Sequence, residues 1–257
     1  MLEKDVIIMR LGGYSSTNGL TLFCDVLKVK ASRVNNGEVK CKLEWILPPR
    51  WLRKLGKNKH LGFLMILYYQ WRAFDLKLKL LVVVALGVPL FEEVFKIPVY
   101  DRLLPTYEKA WWQLFLLIPV LIIVVPKLIK LFRYHGAEHK VINCYAQYGS
   151  VNLDLAKAAP RFNKRCGTNL VVIFLLLYSI LWFFKIDSVS LTLGIFIVAI
   201  IVVKRLSEIR GEKWDKYFNM MQFFTVWEPS QKQLEVAVKA FTVLLEGHYI
   251  YQKELTK

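Results

Sequence analysis

Acidic residues are scarce in this chain: 20 Asp and Glu stand against 36 Lys and Arg, a formal net charge of +16. Histidine is scarcer still, with four. The four cysteines, Cys24, Cys41, Cys144 and Cys166, form no Cys-x-x-Cys pair, so reduced thiols are expected. No Gly-x-Ser-x-Gly elbow and no glycine-rich phosphate loop occurs, which removes the two commonest motif-borne chemistries. No apolar run opens the chain, since Met1-Leu2-Glu3-Lys4-Asp5 leads into only four apolar residues. A cleaved signal peptide is therefore not expected. Internal repeats and low-complexity linkers are also missing.

What the chain has in abundance is apolar surface: 55% hydrophobic residues, with eight tryptophans. A bilayer core takes about 20 apolar residues per helix. Four segments approach that length: Lys77–Phe95, Trp111–Lys130, Leu170–Ile186 and Val189–Val203. The first is diluted by Gly87, Pro89, Glu92 and Glu93 and reads as short, kinked or re-entrant. The last is short and borrows length from Lys204-Arg205-Leu206 by snorkelling. Prolines 89, 119 and 126 predict kinks or non-helical backbone in or beside these spans.

The net positive charge alone fits a nucleic-acid binder, so its distribution decides. Lys and Arg number 15 in 1–79, 8 in 127–168 and 9 in 204–257, against 3 in 92–110 and 1 in 185–188. The alternation, 32 to 4, is the positive-inside pattern for four spans with both termini cytoplasmic. The expected partner is a bilayer with anionic head groups, not nucleic acid.

Along the chain, residues 1–47 read as a β module. Leu27–Val34 and Glu38–Ile46 alternate apolar with polar around Asn35-Asn36-Gly37, a hairpin signal, and Val6–Met9 is a third strand candidate. Residues 48–76 are basic and aromatic, an amphipathic interfacial segment. The transmembrane domain covers 77–203 and includes a cytoplasmic loop, 131–169. In it, Gly149 ends one helix, Asp154 starts a short piece that Pro160 breaks, and Thr168 or Asn169 caps the third span. A cytoplasmic tail, 204–257, carries a helix capped by Ser230. Its apolar stripe of Leu234, Ala237, Val238, Phe241, Leu244 and Leu245 must pack on the β module or a second subunit.

Chemistry concentrates in Tyr134-His135-Gly136-Ala137-Glu138-His139-Lys140. On a helix continuing from the second span, His135, Glu138 and His139 fall at i, i+3 and i+4. His-x-x-Glu-His is the inverted zincin pattern, and two such imidazoles can meet one divalent metal such as zinc. Glu138 would then be a ligand or the base that activates bound water. Glu208, Glu212, Glu228 and Glu235 are distant candidates for a further ligand. Cys144 lies about 180° around from His135 at ~100° per residue, whereas Asn143 shares the face of His139. A thiol nucleophile needs Cys166 to meet His139 in space. The alternative is a buried polar network of His135, Glu138, His139, Asn143, Arg165 and Cys166, with Glu138 paired to Lys140 or Arg165.

The stretch Tyr134–Tyr145 and Arg165-Cys166-Gly167-Thr168 resembles the YqhQ-like bacterial membrane proteins. The resemblance extends to Phe223–Pro229, to Gln233–Ala240, and to Gly12-Gly13 and Gly19. It implies a polytopic membrane fold and a family often labelled metal-dependent, with no settled activity. Relative to that family, two ionisable groups are replaced by amides. A histidine is missing from Phe162-Asn163-Lys164 before Arg165, and Asn18 stands where an acid precedes the second glycine. Metal catalysis loses ground on that comparison.

The expectation is an α-helical polytopic inner-membrane protein of about four helices, with a β-hairpin module and a C-terminal amphipathic helix. The leading function is non-enzymatic: a homo-oligomer handling membrane components, either in membrane-protein quality control with membrane-protein partners or in permeation. The alternative is a metal-dependent membrane hydrolase using the His-x-x-Glu-His block.

Overall fold

Short alternating segments at the N-terminus and long apolar ones later in the chain separate the molecule into a sheet-bearing unit and a helical one. The computed structural model describes residues 11–255 except 35, 57, 59–60, 62, 97–112, 165, 187, 210–214, 218–219 and 221. The first unit gathers 1–73, 126–163 and 216–257, and the second 74–125 and 164–215. Long stretches of sequence therefore return to the same unit.

In the first unit, β1 (Gly12–Ser16), β2 (Gly19–Phe23), β3 (Leu27–Arg33) and β4 (Val39–Trp45) form an antiparallel sheet in chain order. The β3–β4 hairpin is the one the alternation predicts. Gly37 takes φ +87 at the turn, a conformation open mainly to glycine. Val6–Met9 lies outside the described residues. Beyond the sequence expectation, β1 and β2 extend the sheet.

Helices α1 (Arg50–Gly56) and α2 (Phe63–Ala73) follow the sheet, within the basic, aromatic stretch 48–76. One sheet face carries Leu20, Leu22, Val29 and Ala31, all buried. Onto it pack α8 (Gln231–Leu255) and the end of α4 (Gln113–Tyr148) through Phe241, Leu244, Tyr134, Ala137 and Val141. Thus the apolar stripe of the tail helix finds the β module. Its start carries the reciprocal half of a capping box: Gln233 Oε1 accepts from Ser230 N–H at 3.0 Å, and from Ser230 Oγ at 2.9 Å.

Helix α4 runs unbroken from its apolar start through the polar block. It ends where Gly149, φ +65, donates to the Tyr145 carbonyl at 2.8 Å. Pro119 and Pro126 lie inside α4, and Pro89 inside α3 (Leu76–Phe95), so the backbone stays helical at all three. The short α5 (Leu153–Ala158) starts on Asn152, whose side chain accepts from Leu155 N–H at 2.8 Å. Pro160 follows its end.

The second unit contains the start of α4 with α3, α6 (Gly167–Phe183) and α7 (Val189–Glu208). Asp75 caps α3 and Ser188 caps α7. Cys166, rather than Thr168 or Asn169, caps α6, its sulfur accepting from Thr168 N–H at 3.4 Å. Large apolar side chains face outward, with Trp182 and Phe183 each 74% exposed. Among the described residues, one helix, Val189–Ser207, is long and apolar enough to cross a membrane. Gly167–Phe183 is also apolar but only 17 residues long.

Candidate functional site

The polar block sits on the last turns of α4, where the helix is buried by the sheet, by residues 157–163 and by the segment 222–229. His135 and His139, one helical turn apart, stack edge to face with ring centroids 4.5 Å apart. His135 Nδ1 lies 3.0 Å from the Thr225 carbonyl and His139 Nδ1 lies 2.7 Å from the Arg161 carbonyl. A carbonyl can only accept, so each Nδ1 carries the proton. Burial pushes both imidazoles below their usual range, His139 down to about 3 with the neighbouring His135 charge adding to the effect. Each ring is therefore neutral with its lone pair on Nε2, the tautomer a metal requires, and each is oriented as ligating histidines are. Their ligating atoms come within 4.8 Å. Two imidazoles so placed could hold one zinc ion between them.

Glu138 departs from the expected metal set. Its 60° offset from His135 turns it onto β1, where the Ser15 hydroxyl donates to the carboxyl at 2.7 Å. A side chain at Gly13 would come within 2.8 Å of that carboxyl, so the close approach depends on glycine. Burial pushes Glu138 up to about 8, against the opposing hydrogen bond from Ser15. Among the described residues, the ligating atoms gathered at the histidine pair include no Glu138 oxygen.

The other block residues hold backbone. Asn143 donates to the carbonyls of Pro160 and Phe162 at 2.7 and 2.9 Å and accepts from the Asn163 amide at 2.9 Å. Asn163, where the family pattern led us to look for an imidazole, is gripped again by Gln222. The Gln222 side chain accepts from Asn163 N–H at 3.0 Å and donates to its carbonyl at 2.6 Å. Lys140 does not pair with Glu138. Its buried ammonium donates to the Lys157 and Ala159 carbonyls at 2.8 and 3.0 Å and pairs with Glu228 at 2.9 Å. Gly136 lets 225–229 lie directly on α4, since a Cβ there would stand 1.8 Å from the Trp227 carbonyl. Trp227 N–H in turn donates to the Phe132 carbonyl at 3.1 Å.

Arg165 and Glu212 lie outside the described residues. Glu235 pairs with Arg33 at 2.7 Å, and Cys144 is buried in the core with its thiol donating to the Ser150 carbonyl at 3.3 Å. Glu208 ends α7 and Cys166 caps α6, both in the second unit. Asn18 lines a shallow recess of about 450 Å³ with Ser32, Arg33, Val34, Asn36 and Lys40, which shares no residue with the block. Sequence reasoning passed over Ser15 and Gln222, whose types are too common to stand out.

Together these features define a class: proteins joining an antiparallel sheet, packed under a polar helix, to a unit of outward-facing apolar helices. Residues 57–247 match the family described as protein of unknown function (DUF1385), and the chain belongs to it. The uncharacterized protein YqhQ of Bacillus subtilis (strain 168) is 32% identical over 176 residues, 62% of this chain and 55% of the relative. The chain thus spans about half the length of the curated relative it matches. No solved structure matches it.

Proposed function

We propose that this is a non-enzymatic bacterial inner-membrane protein, assembled as a homo-oligomer, that handles other membrane components. In this reading it crosses the bilayer four times with both ends cytoplasmic, an arrangement that the 32-to-4 charge split supports. Its task is quality control of membrane proteins or permeation through the oligomer. The observation supporting a non-enzymatic reading is the use the block makes of its polar groups. Glu138, Lys140 and Asn143 each hold a neighbouring segment in place. The block's one carboxyl is closed against β1 instead of facing the imidazoles. Affinity purification of the full chain from native membranes should recover membrane-protein partners, or reconstituted liposomes should show flux. Recovery of no such partner together with flat flux would end this reading.

A metal-dependent hydrolase is the second reading, favoured by one observation: both histidines donate from Nδ1 to fixed carbonyls. A bound zinc would supply Lewis acidity, and Glu138 would act by positioning the helix. Metal analysis of purified protein discriminates: zinc near one per chain, lost in His139→Ala, supports this reading, and metal-free wild-type protein removes it.

A further inference from the structure

The sheet has a second face, turned away from α8 and α4. Registry assigns it Phe23 opposite Lys28, Lys30 opposite Lys42, and Ser32 opposite Lys40. Phe23 is covered by Ala73 and Tyr69 of α2. Lys28 donates to the Arg72 carbonyl at 2.9 Å, and the Tyr69 hydroxyl donates to the Asp25 carbonyl at 3.1 Å. Helix α2 therefore sits on the end of this face and leaves Lys30, Lys40 and Lys42 exposed beside it.

Two lysines directly opposite each other on neighbouring strands repel. Glu44 takes both Lys42, at 2.8 Å, and Lys28, at 3.1 Å. Among the described residues, this face carries Lys28, Lys30, Lys40 and Lys42 with Glu44. On the helices that follow the sheet, Trp71 of α2 is 41% exposed and Trp51 of α1 is 62% exposed. Lysine presents a hydrated point charge without the planar fork that reads a shaped anion. Tryptophan settles where an apolar body meets a wet edge. That pairing matches a fluid, anionic surface better than a nucleic-acid groove, which would want aromatic rings interleaved with the cations.

We propose that this outer sheet face, with α1 and α2, docks on the anionic head groups of a bilayer, its lysines over phosphates and Trp51 and Trp71 at the interface. The proposal rests on the membrane-embedded reading above and adds a second, peripheral contact by the first unit. Residues 11–56, which supply the sheet and α1, precede the matched family region, so the family description says nothing of this face.

The test is lysine acylation of the full chain in nanodiscs, read by mass spectrometry. Phosphatidylcholine discs are compared with discs that also contain phosphatidylglycerol. Incorporation into neutral discs checks the embedding by itself, before any labelling. Lys30, Lys40 and Lys42 should react about fivefold more slowly in anionic discs at low salt, an effect that high salt reverses. Lys239, exposed on α8, should not change. In Trp51→Ala/Trp71→Ala the protection should weaken. Equal rates in both discs, or equal slowing at Lys239, would overturn the proposal. Protection produced by short RNA on neutral discs, without an effect of phosphatidylglycerol, would overturn it in favour of nucleic acid.

Discussion

Glu138 and His139 are neighbours on one helix whose burial acts in opposite directions on charge, which gives the block a characteristic pH response. Burial raises Glu138 from 4.5 to about 8 and lowers His139 from 6.5 to about 3. Glu138 binds its proton more tightly when folded. Its contribution to stability is complete below pH 4.5 and is lost as pH rises through 8. His139 is the reverse: its contribution is present above 6.5 and is lost as pH falls toward 3. The two oppose each other between 4.5 and 6.5, and above 6.5 Glu138 alone changes. With chelator present, wild-type protein should lose up to about 2 kcal/mol between pH 6.5 and 8. Thermal unfolding in detergent would read this as a falling midpoint. Glu138→Gln keeps an acceptor for Ser15 but has no proton to lose, so its midpoint should stay level over that interval. A parallel decline in the variant would show that the buried carboxyl is not the source.

Helix α4 is the element around which the first unit is arranged, because three chain segments close on its last turns. Gly136 is the point of closest approach, with the Trp227 carbonyl where a Cβ would be. Overpacking against backbone has no flexible side chain to absorb it. Gly136→Ala should therefore cost about 3 kcal/mol, the upper part of the usual overpacking range. Gly167, with nothing within 4 Å, is the matched control, and Gly167→Ala should be neutral or slightly stabilising. Unfolding midpoints that fall equally in both variants would refute this account of α4. The face bearing His135, His139 and Asn143 was legible in the sequence, because helical spacing alone defines it. Its partners were not, since Thr225, Arg161 and Pro160 contribute carbonyls, which every residue has. The contact of Glu138 with Ser15 was illegible for a related reason. Spacing of i, i+3 implies a shared face, but a 60° offset suffices to send one side chain to the sheet. The β3–β4 hairpin was readable from its alternation and Gly37. Strands β1 and β2 were not, because Gly-Gly-Tyr-Ser-Ser-Thr-Asn-Gly has the composition of a turn.

For the whole molecule, the charge pattern and the apolar helices must agree on which loops face which side. Native Cys144 and Cys166 cannot report this, because both are buried and would stay unlabelled on either side. Exposed positions are needed, in a background with Cys41, which is partly exposed, replaced by serine. Tyr148, 38% exposed, ends α4 and belongs to the lysine-rich side; Ile186, 43% exposed, follows α6 on the lysine-poor side. Asp101, which lies outside the described residues, belongs to the other lysine-poor segment. An impermeant thiol reagent added outside intact cells should label Ile186→Cys and Asp101→Cys but leave Tyr148→Cys untouched. Permeabilised cells should then label all three, which separates sidedness from folding. Ile186 labelled with Asp101 and Tyr148 both silent in intact cells would mean that neither α3 nor α4 crosses the bilayer completely. That outcome would leave two spans with the histidine block still cytoplasmic. Tyr148→Cys labelled from outside would invert the protein and place the histidine block and lysine-rich sheet outside. The proposed docking on a cytoplasmic anionic leaflet would fall with it, because the outer face of that bilayer would then be the surface the lysines meet.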